Sequence, residues 1–304
     1  MKNSIQNDFE LFADEILSRI TRDADGVDQH EQTQTRADQN QEAFNLTKLD
    51  HPIELPYLDN SPGDTLEKML ENTTNRKLSP RENSYVEDKL EECGIDFLAY
   101  YKSYRRKEFL PHKGYWGIFA YDWALSKIGI EISQYLKKAD PSYYEAWKVI
   151  HCHEVFHFLT DYWTLSREAE LGKELYPNYS RKIYQKYYPN EVVVEESLAN
   201  NFVWNWCRIH RPGNKKIGGW VEKFMDKQPG AYANFRQDPV QMNRVLASQI
   251  LNSDKWEEGM EEQSKSPWML PISEESLWRY RSEDPVDSKL CPCWLIRNSS
   301  VLSL

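Results

Sequence analysis

The run from Ala146 to Trp163 constrains the fold more than any other stretch of this chain. It reads AWKVIHCHEVFHFLTDYW, and Asp140-Pro141 ahead of it marks a helix start. As a helix from Ser142 to Trp163 it carries apolar side chains on every side, among them Trp147, Ile150, Val155, Phe158 and Tyr162. A helix that is apolar all round belongs in the middle of a domain. Set into it is the pattern His153-Glu154-Val155-Phe156-His157. Residues four apart on a helix share a face, so His153 and His157 can point two imidazoles at one ion. Glu154 sits beside the first of them, where a carboxylate can take a proton from a water held by that ion. Five residues match by chance in many proteins. Two further observations therefore decide: that the helix is buried, and that a third ligand waits on another helix.

The second helix is Glu196 to Ile209 (ESLANNFVWNWCRI). Its core stripe is Leu198, Phe202, Trp206 and Ile209, and beside it run Glu196, Asn200, Val203 and Cys207. A catalytic zinc takes three protein ligands and leaves one position for water. Glu196 can supply the third ligand. Asn200, one turn on, can orient a ligand histidine by bonding its other nitrogen. Glu195 is an alternative ligand, but it shares its face with Ala199 and so lacks that partner. Asp161, one turn after His157, orients His157 or faces solvent. His151 points away from His153 and reads as core packing. Cys152 reads as buried and inert, and Cys207 as packing.

With these residues in place the chain resembles the zincin-like metallopeptidases, and among them the gluzincins. Their usual companion to H-E-x-x-H is E-x-x-x-[DN] on a later helix. More narrowly, Glu196-Ser197-Leu198-Ala199-Asn200-Asn201-Phe202 is similar to the E-x-E-A-N-x-F segment of the ImmA/IrrE family of bacterial metallopeptidases. Leu198 stands where that family has a second Glu, and Phe156 where it has Gly. The interval from His157 to Glu196 is also longer than is common there. Metzincins are excluded, because the glycine and third histidine their motif needs are Thr160 and Trp163 here.

The resemblance covers Ile128 to Ile209. It implies an α+β, zincin-like fold with a small mixed sheet and a buried motif helix. It also implies Zn2+ on His153, His157 and Glu196, with Glu154 as general base and a peptide or protein substrate. In such folds a His, Tyr or Arg beyond the third-ligand helix often stabilises the oxyanion. His210 is the candidate here, with Arg208 beside it, although a cationic helix end is equally explained by the helix dipole. An edge strand ahead of the motif helix pairs with extended substrate, and the alternating Ile128 to Ser133 (IGIEIS) is the candidate edge. Two other readings fit the same residues. One is a non-catalytic regulator or scaffold whose H-E-x-x-H helix is only core. The other is a zinc hydrolase acting on a non-peptide amide.

Bulk properties narrow the class. A chain of 304 residues with 40% hydrophobic and 28% charged residues is globular. A net charge of −10 argues against nucleic acid or an anionic membrane as the main partner. The basic run KSYRRK from Lys102 to Lys107 then reads as a solvated face. No stretch approaches the roughly 18 apolar residues of a membrane span. MKNSIQNDFELF is not a signal peptide. Five scattered cysteines fit a reducing cytoplasm better than a disulfide framework. Oligomeric state is not legible.

Along the rest of the chain, residues 1–60 are expected to hold an amphipathic helix (Asn7 to Arg22) and a flexible polar linker, with the metallopeptidase domain over 61–304. Asp64 caps one helix, and Ser79-Pro80 starts another that runs to Cys93 and stops at Gly94. Phe97 to Tyr104 and Tyr115 to Tyr121 read as strands. Thr164 to Asn190 reads as an aromatic insertion near the site, with a helical piece from Ser166 to Leu175. Asn190 is expected to cap the second helix. Helices follow over Trp220 to Asp226 and Asp238 to Leu251. Trp294 to Ile296 reads as a terminal strand, preceded by Cys291 and Cys293, whose single C-x-C is too little for a metal site.

Overall fold

The computed structural model describes residues 53–54, 78–103, 105, 116–209, 215–256 and 291–296. The expected Asn7–Arg22 helix, its linker, the boundary at residue 60, the helix capped by Asp64 and His210 lie outside the described residues. One compact unit, Thr47–Pro111 with Trp116–Leu304, holds every element below. A second unit, Met1–Leu46 with His112–Tyr115, lies outside the described residues.

The unit is a mixed α+β structure, mostly helical, with a small sheet. The strands are β1 (Ile53–Glu54), β2 (Ala99–Lys102), β3 (Gly117–Tyr121) and β4 (Cys293–Ile296), in the order β1-β4-β3-β2. β2 runs antiparallel to β3, β3 parallel to β4, and β4 antiparallel to β1. The expected terminal strand is thus an inner strand that completes the sheet. Across the ladder, Tyr100 stacks on Phe119 and Phe119 on Trp294, the aromatic cross-strand pairs that favour strand pairing. Gly117 makes the β3–β4 approach possible. Its φ is +114°, and a Cβ there would lie 2.0 Å from the Pro292 carbonyl oxygen. Gly117→Ala should therefore lower stability by about 1–3 kcal/mol, read from the urea midpoint; an unchanged midpoint would mean the strands do not approach so closely.

The main helices are α1 (Pro80–Cys93), α2 (Asp122–Leu136), α3 (Tyr143–Leu171), α4 (Val194–Ile209), α5 (Lys215–Met225) and α6 (Pro239–Leu251). α1 begins as its sequence prescribes. The Ser79 hydroxyl accepts from the Glu82 N–H at 3.3 Å, and the Glu82 carboxylate accepts from the Ser79 N–H at 2.8 Å. α3 is the central helix, packed on α2, α4, β2 and β3. It outruns the expected end at Trp163 and takes in most of the separate helix expected from Ser166, stopping at Gly172 in the left-handed region. Its buried hydroxyls are satisfied within the helix: Thr160 donates to the Phe156 carbonyl at 2.9 Å and Thr164 to that of Thr160 at 2.6 Å.

Three expectations are corrected here. Ile128 to Ser133 is not an edge strand but lies inside α2. Its alternation fits period two, yet Leu125, Ile128 and Ile132 also fall at helical spacing, and all three are fully buried. Gly129 lets α2 approach α3 closely, its Cβ position lying 3.1 Å from the Tyr143 ring. The edge strand is β2 instead. Second, Lys102 and Arg105 are not on a solvated face. Lys102 is buried, and the Arg105 guanidinium pairs with the Asp161 and Glu168 carboxylates of α3. Asp161 is thereby accounted for: it is buried, bound to Arg105, and accepts from Tyr101 at 3.0 Å. It neither orients His157 nor faces solvent. Third, Asn190 does not cap α4. Its side chain accepts from Val192 N–H at 3.1 Å in a turn, and the helix starts at Val194, after most of the β-branched run. No helix among the described residues is long and apolar enough to cross a membrane.

Candidate metal centre

α3 and α4 cross so that the expected residues meet. His153 and Glu196 have no exposed surface, Glu154 is 1% exposed and His157 5%. The two Nε2 atoms are 3.3 Å apart. Glu196 Oε2 lies 3.2 Å from that of His153 and 3.6 Å from that of His157.

The far nitrogens of both rings explain why the near ones are bare. His153 Nδ1 is 3.0 Å from Asn200 Oδ1. The Asn200 amide cannot be reversed, because its NH2 donates to Gln228 Oε1 at 3.2 Å and to the Tyr232 carbonyl at 3.0 Å. So Oδ1 faces the ring, Nδ1 carries the proton, and the Nε2 of a neutral ring is left as a lone pair. His157 Nδ1 is 2.7 Å from Glu195 Oε1, which also accepts from the Tyr176 hydroxyl at 2.9 Å. The same argument frees its Nε2. With both rings neutral, two lone pairs and a carboxylate would converge, and positive charge, whether a metal ion or protons on the rings, reconciles them.

The proton affinities of these groups express that demand. Burial pulls His153 down, but the Asp96 and Glu196 carboxylates more than offset it and hold it at about 9. Burial opposes protonation of His157 too, yet Glu196 and Glu195 raise it well above its ordinary value. Glu196 is pushed up by burial and brought down further by the two imidazoles, ending well below the usual carboxylate range. Glu154 is raised to about 8, first by burial and then by the charge of Asp96. Its Oε1 is buried and has no hydrogen-bond partner among the described residues.

Sequence reasoning missed three participants. Asp96 belongs to a single turn of 3-10 helix, Gly94–Phe97, just ahead of β2. Its Oδ1 lies 3.3 Å from His153 Nε2. Asp96, His153, His157 and Glu196 together form a group whose donor atoms all lie within 4.8 Å of one another, a group that can hold a metal ion. Tyr184 ends a π-helical turn, Ser180–Tyr184, and its hydroxyl reaches both Asp96 Oδ2, at 2.9 Å, and Glu196 Oε1. Tyr176 supports Glu195 as above. Both tyrosines come from the aromatic insertion, which does reach the site as expected. A tyrosine-rich segment was a visible signal for them; nothing local marked Asp96.

The remaining candidates fall elsewhere. Glu195 stands on the outer nitrogen of His157, not in the donor group. His151 is a core histidine beside Trp147, brought to about 4 by burial. Cys207 is fully buried, while Cys152 is half-buried rather than buried as expected. Cys291 and Cys293 are buried and form no disulfide among the described residues.

In front of the centre lies a cavity of about 290 Å3. Glu154, His157, Asp96 and Tyr184 line one side, and the consecutive residues Tyr100 to Ser103 line another. Side chains of a strand alternate between faces, so four residues in a row mean that the edge of β2 itself borders the cavity, the side away from β3. No family model, curated protein or solved structure matches the chain, so its reading rests on this geometry.

Proposed function

We propose that this chain is a zinc-dependent metallopeptidase of gluzincin-like, zincin architecture. The observation that carries the reading is the pairing of each imidazole with its own buried acceptor, Asn200 for His153 and Glu195 for His157. Such partners fix the tautomer and direction of metal-ligating histidines. A hydrophobic core does not need them. His153, His157 and Glu196 would hold Zn2+, the His2Glu set of catalytic zinc sites. When bound there, zinc would supply Lewis-acid chemistry, polarising a carbonyl and lowering the pKa of a water toward neutrality.

The other steps belong to the chain's own residues. Glu154 Oε1 is buried, unpartnered and on the cavity wall. It is the atom placed to take a proton from the attacking water and return it to the leaving amine. β2 ends the sheet among the described residues and borders the cavity, and an extended peptide would register by running along it. Tyr184 has a hydroxyl on the cavity and would meet developing negative charge on a substrate oxygen.

A structural metal site is the second reading, and Asp96 favours it. Four protein donors close a site, whereas catalytic zinc keeps one position open. Metal analysis with a hydrolysis assay separates the two. The catalytic reading expects about one zinc per chain and chelator-sensitive cleavage of a mixed peptide library. Bound zinc with no cleavage of peptides or of small amides would leave the structural reading. Asn200→Leu should weaken zinc binding by about 10–100-fold, measured by chelator competition. Unaltered affinity would mean the Asn200 contact does not set the ring.

A further inference from the structure

The fourth donor is the feature that the catalytic reading leaves unexplained. Two observations separate Asp96 from the other three. It is the only donor that does not sit on α3 or α4, coming instead from the turn Gly94–Phe97 that leads into β2. Its side chain is 20% exposed, against none for His153 and Glu196 and 6% for His157. Like His157, it lines the cavity. A donor built to seal a structural site would be as deep as its fellows.

Its two oxygens differ as well. Oδ2 accepts from the Tyr184 hydroxyl at 2.9 Å. Oδ1 is buried, lies 3.3 Å from His153 Nε2, and has no hydrogen-bond partner among the described residues. It approaches a lone pair, which is the position of an atom that shares a cation with the imidazole. The backbone beneath is held fast. Gly94 packs against the Tyr232 ring, where a Cβ would come within 2.7 Å, and the Tyr188 hydroxyl donates to the Cys93 carbonyl. Only the short side chain is left to turn, and it has the cavity to turn into.

We infer that Asp96 is a displaceable fourth donor: its carboxylate closes the metal site at rest and yields that position to an incoming ligand. The inference rests on the metallopeptidase reading and adds regulation to it. A site whose fourth position is covered most of the time binds any ligand for that position more weakly, by the fraction of time it is open. The cover also keeps a reactive water from forming until a substrate on the β2 edge competes for the position.

The test uses the full chain loaded with Co2+ and followed by visible absorption, with acetohydroxamate as a bidentate probe. Asp96→Ala should bind acetohydroxamate about tenfold or more tightly than the wild type, while holding Co2+ about tenfold or more weakly. Asp96→Asn keeps the size of the side chain and an acceptor for Tyr184. It should fall between the two and guards against a variant that fails to fold. Equal acetohydroxamate affinity in all three proteins overturns the inference. So does loss of Co2+ from both folded variants, which would make Asp96 a permanent donor of a structural site. Wild-type Co2+ uptake that His153→Ala abolishes leaves the metal reading standing in either of those cases. No Co2+ uptake by the wild type sinks the metal reading, and this inference with it.

Discussion

Chelated protein should lose stability steadily as pH rises, and the gap between it and the zinc-loaded form should widen from pH 6 to pH 9. Without an ion, protons are the positive charge available to the converging donors. His153 is raised from 6.5 to about 9 on folding and His157 well above 6.5. A group whose folded value is raised contributes fully below its unfolded value, here about 6.5, and that contribution goes as pH climbs through the folded value. Glu154, raised from 4.5 to about 8, acts in the same direction over its own lower window. Glu196 is depressed and acts oppositely, but only in acid, where its protonation removes stability. Between about pH 6.5 and 9 the folded chain therefore holds more protons than the unfolded one, and each extra proton costs about 1.4 kcal/mol per pH unit.

Zinc reverses this trend. Binding requires bare imidazoles, so affinity rises with pH as protons leave. A free ion at a thousandfold its dissociation constant adds about 4 kcal/mol to stability. Urea unfolding at pH 6 and pH 9, with zinc and with a chelator, reads both effects. A gap that stays constant or narrows at pH 9 would show that protons and zinc do not compete for these side chains. The same chelated sample should show no peptide cleavage.

The site was legible where its chemistry is local to a helix. His153, Glu154 and His157 share one turn, and Glu196 and Asn200 share another, so spacing alone set them on common faces. Burial of α3 followed from its apolar residues on all sides. Spacing also misled. Glu195 looked partnerless beside Ala199, because its partners, His157 and Tyr176, lie on other segments. Asp161 looked like an orienting group for His157 because it lies one turn away, yet Arg105 of a distant loop claims it. IGIEIS satisfied two periods at once, and the helical one is the one whose stripe, Leu125, Ile128 and Ile132, is buried. Asp96 could not be read at all, and Tyr184 only as one of a tyrosine-rich segment. Each sits in a single irregular turn whose position is set by tertiary packing, Gly94 against Tyr232 in one case and a π-helical turn in the other. The edge strand fell in the same class: β2 borders the cavity because β3 covers only one of its sides.

Glu154→Gln should reduce hydrolysis by about 10²–10⁴-fold, the usual share of a positioned general base, while zinc binding and fold survive. Glutamine keeps the shape of the side chain and removes only its ability to hold a proton in transit. Glu154 lies outside the donor group, so zinc content should not change. Stability should move in the opposite direction to activity. The native carboxyl is 1% exposed, has an oxygen without a partner among the described residues and sits beside the Asp96 charge. Ionising it there is unfavourable, which is why it is raised to about 8, and a neutral amide removes that cost. The variant should be as stable as the wild type or more so, by up to about 1–3 kcal/mol. A residue whose replacement strengthens the fold and abolishes the reaction is retained for the reaction. Wild-type hydrolysis in Glu154→Gln would remove Glu154 from the mechanism. A variant that is inactive and also less stable by several kcal/mol would instead mark the carboxylate as part of the core.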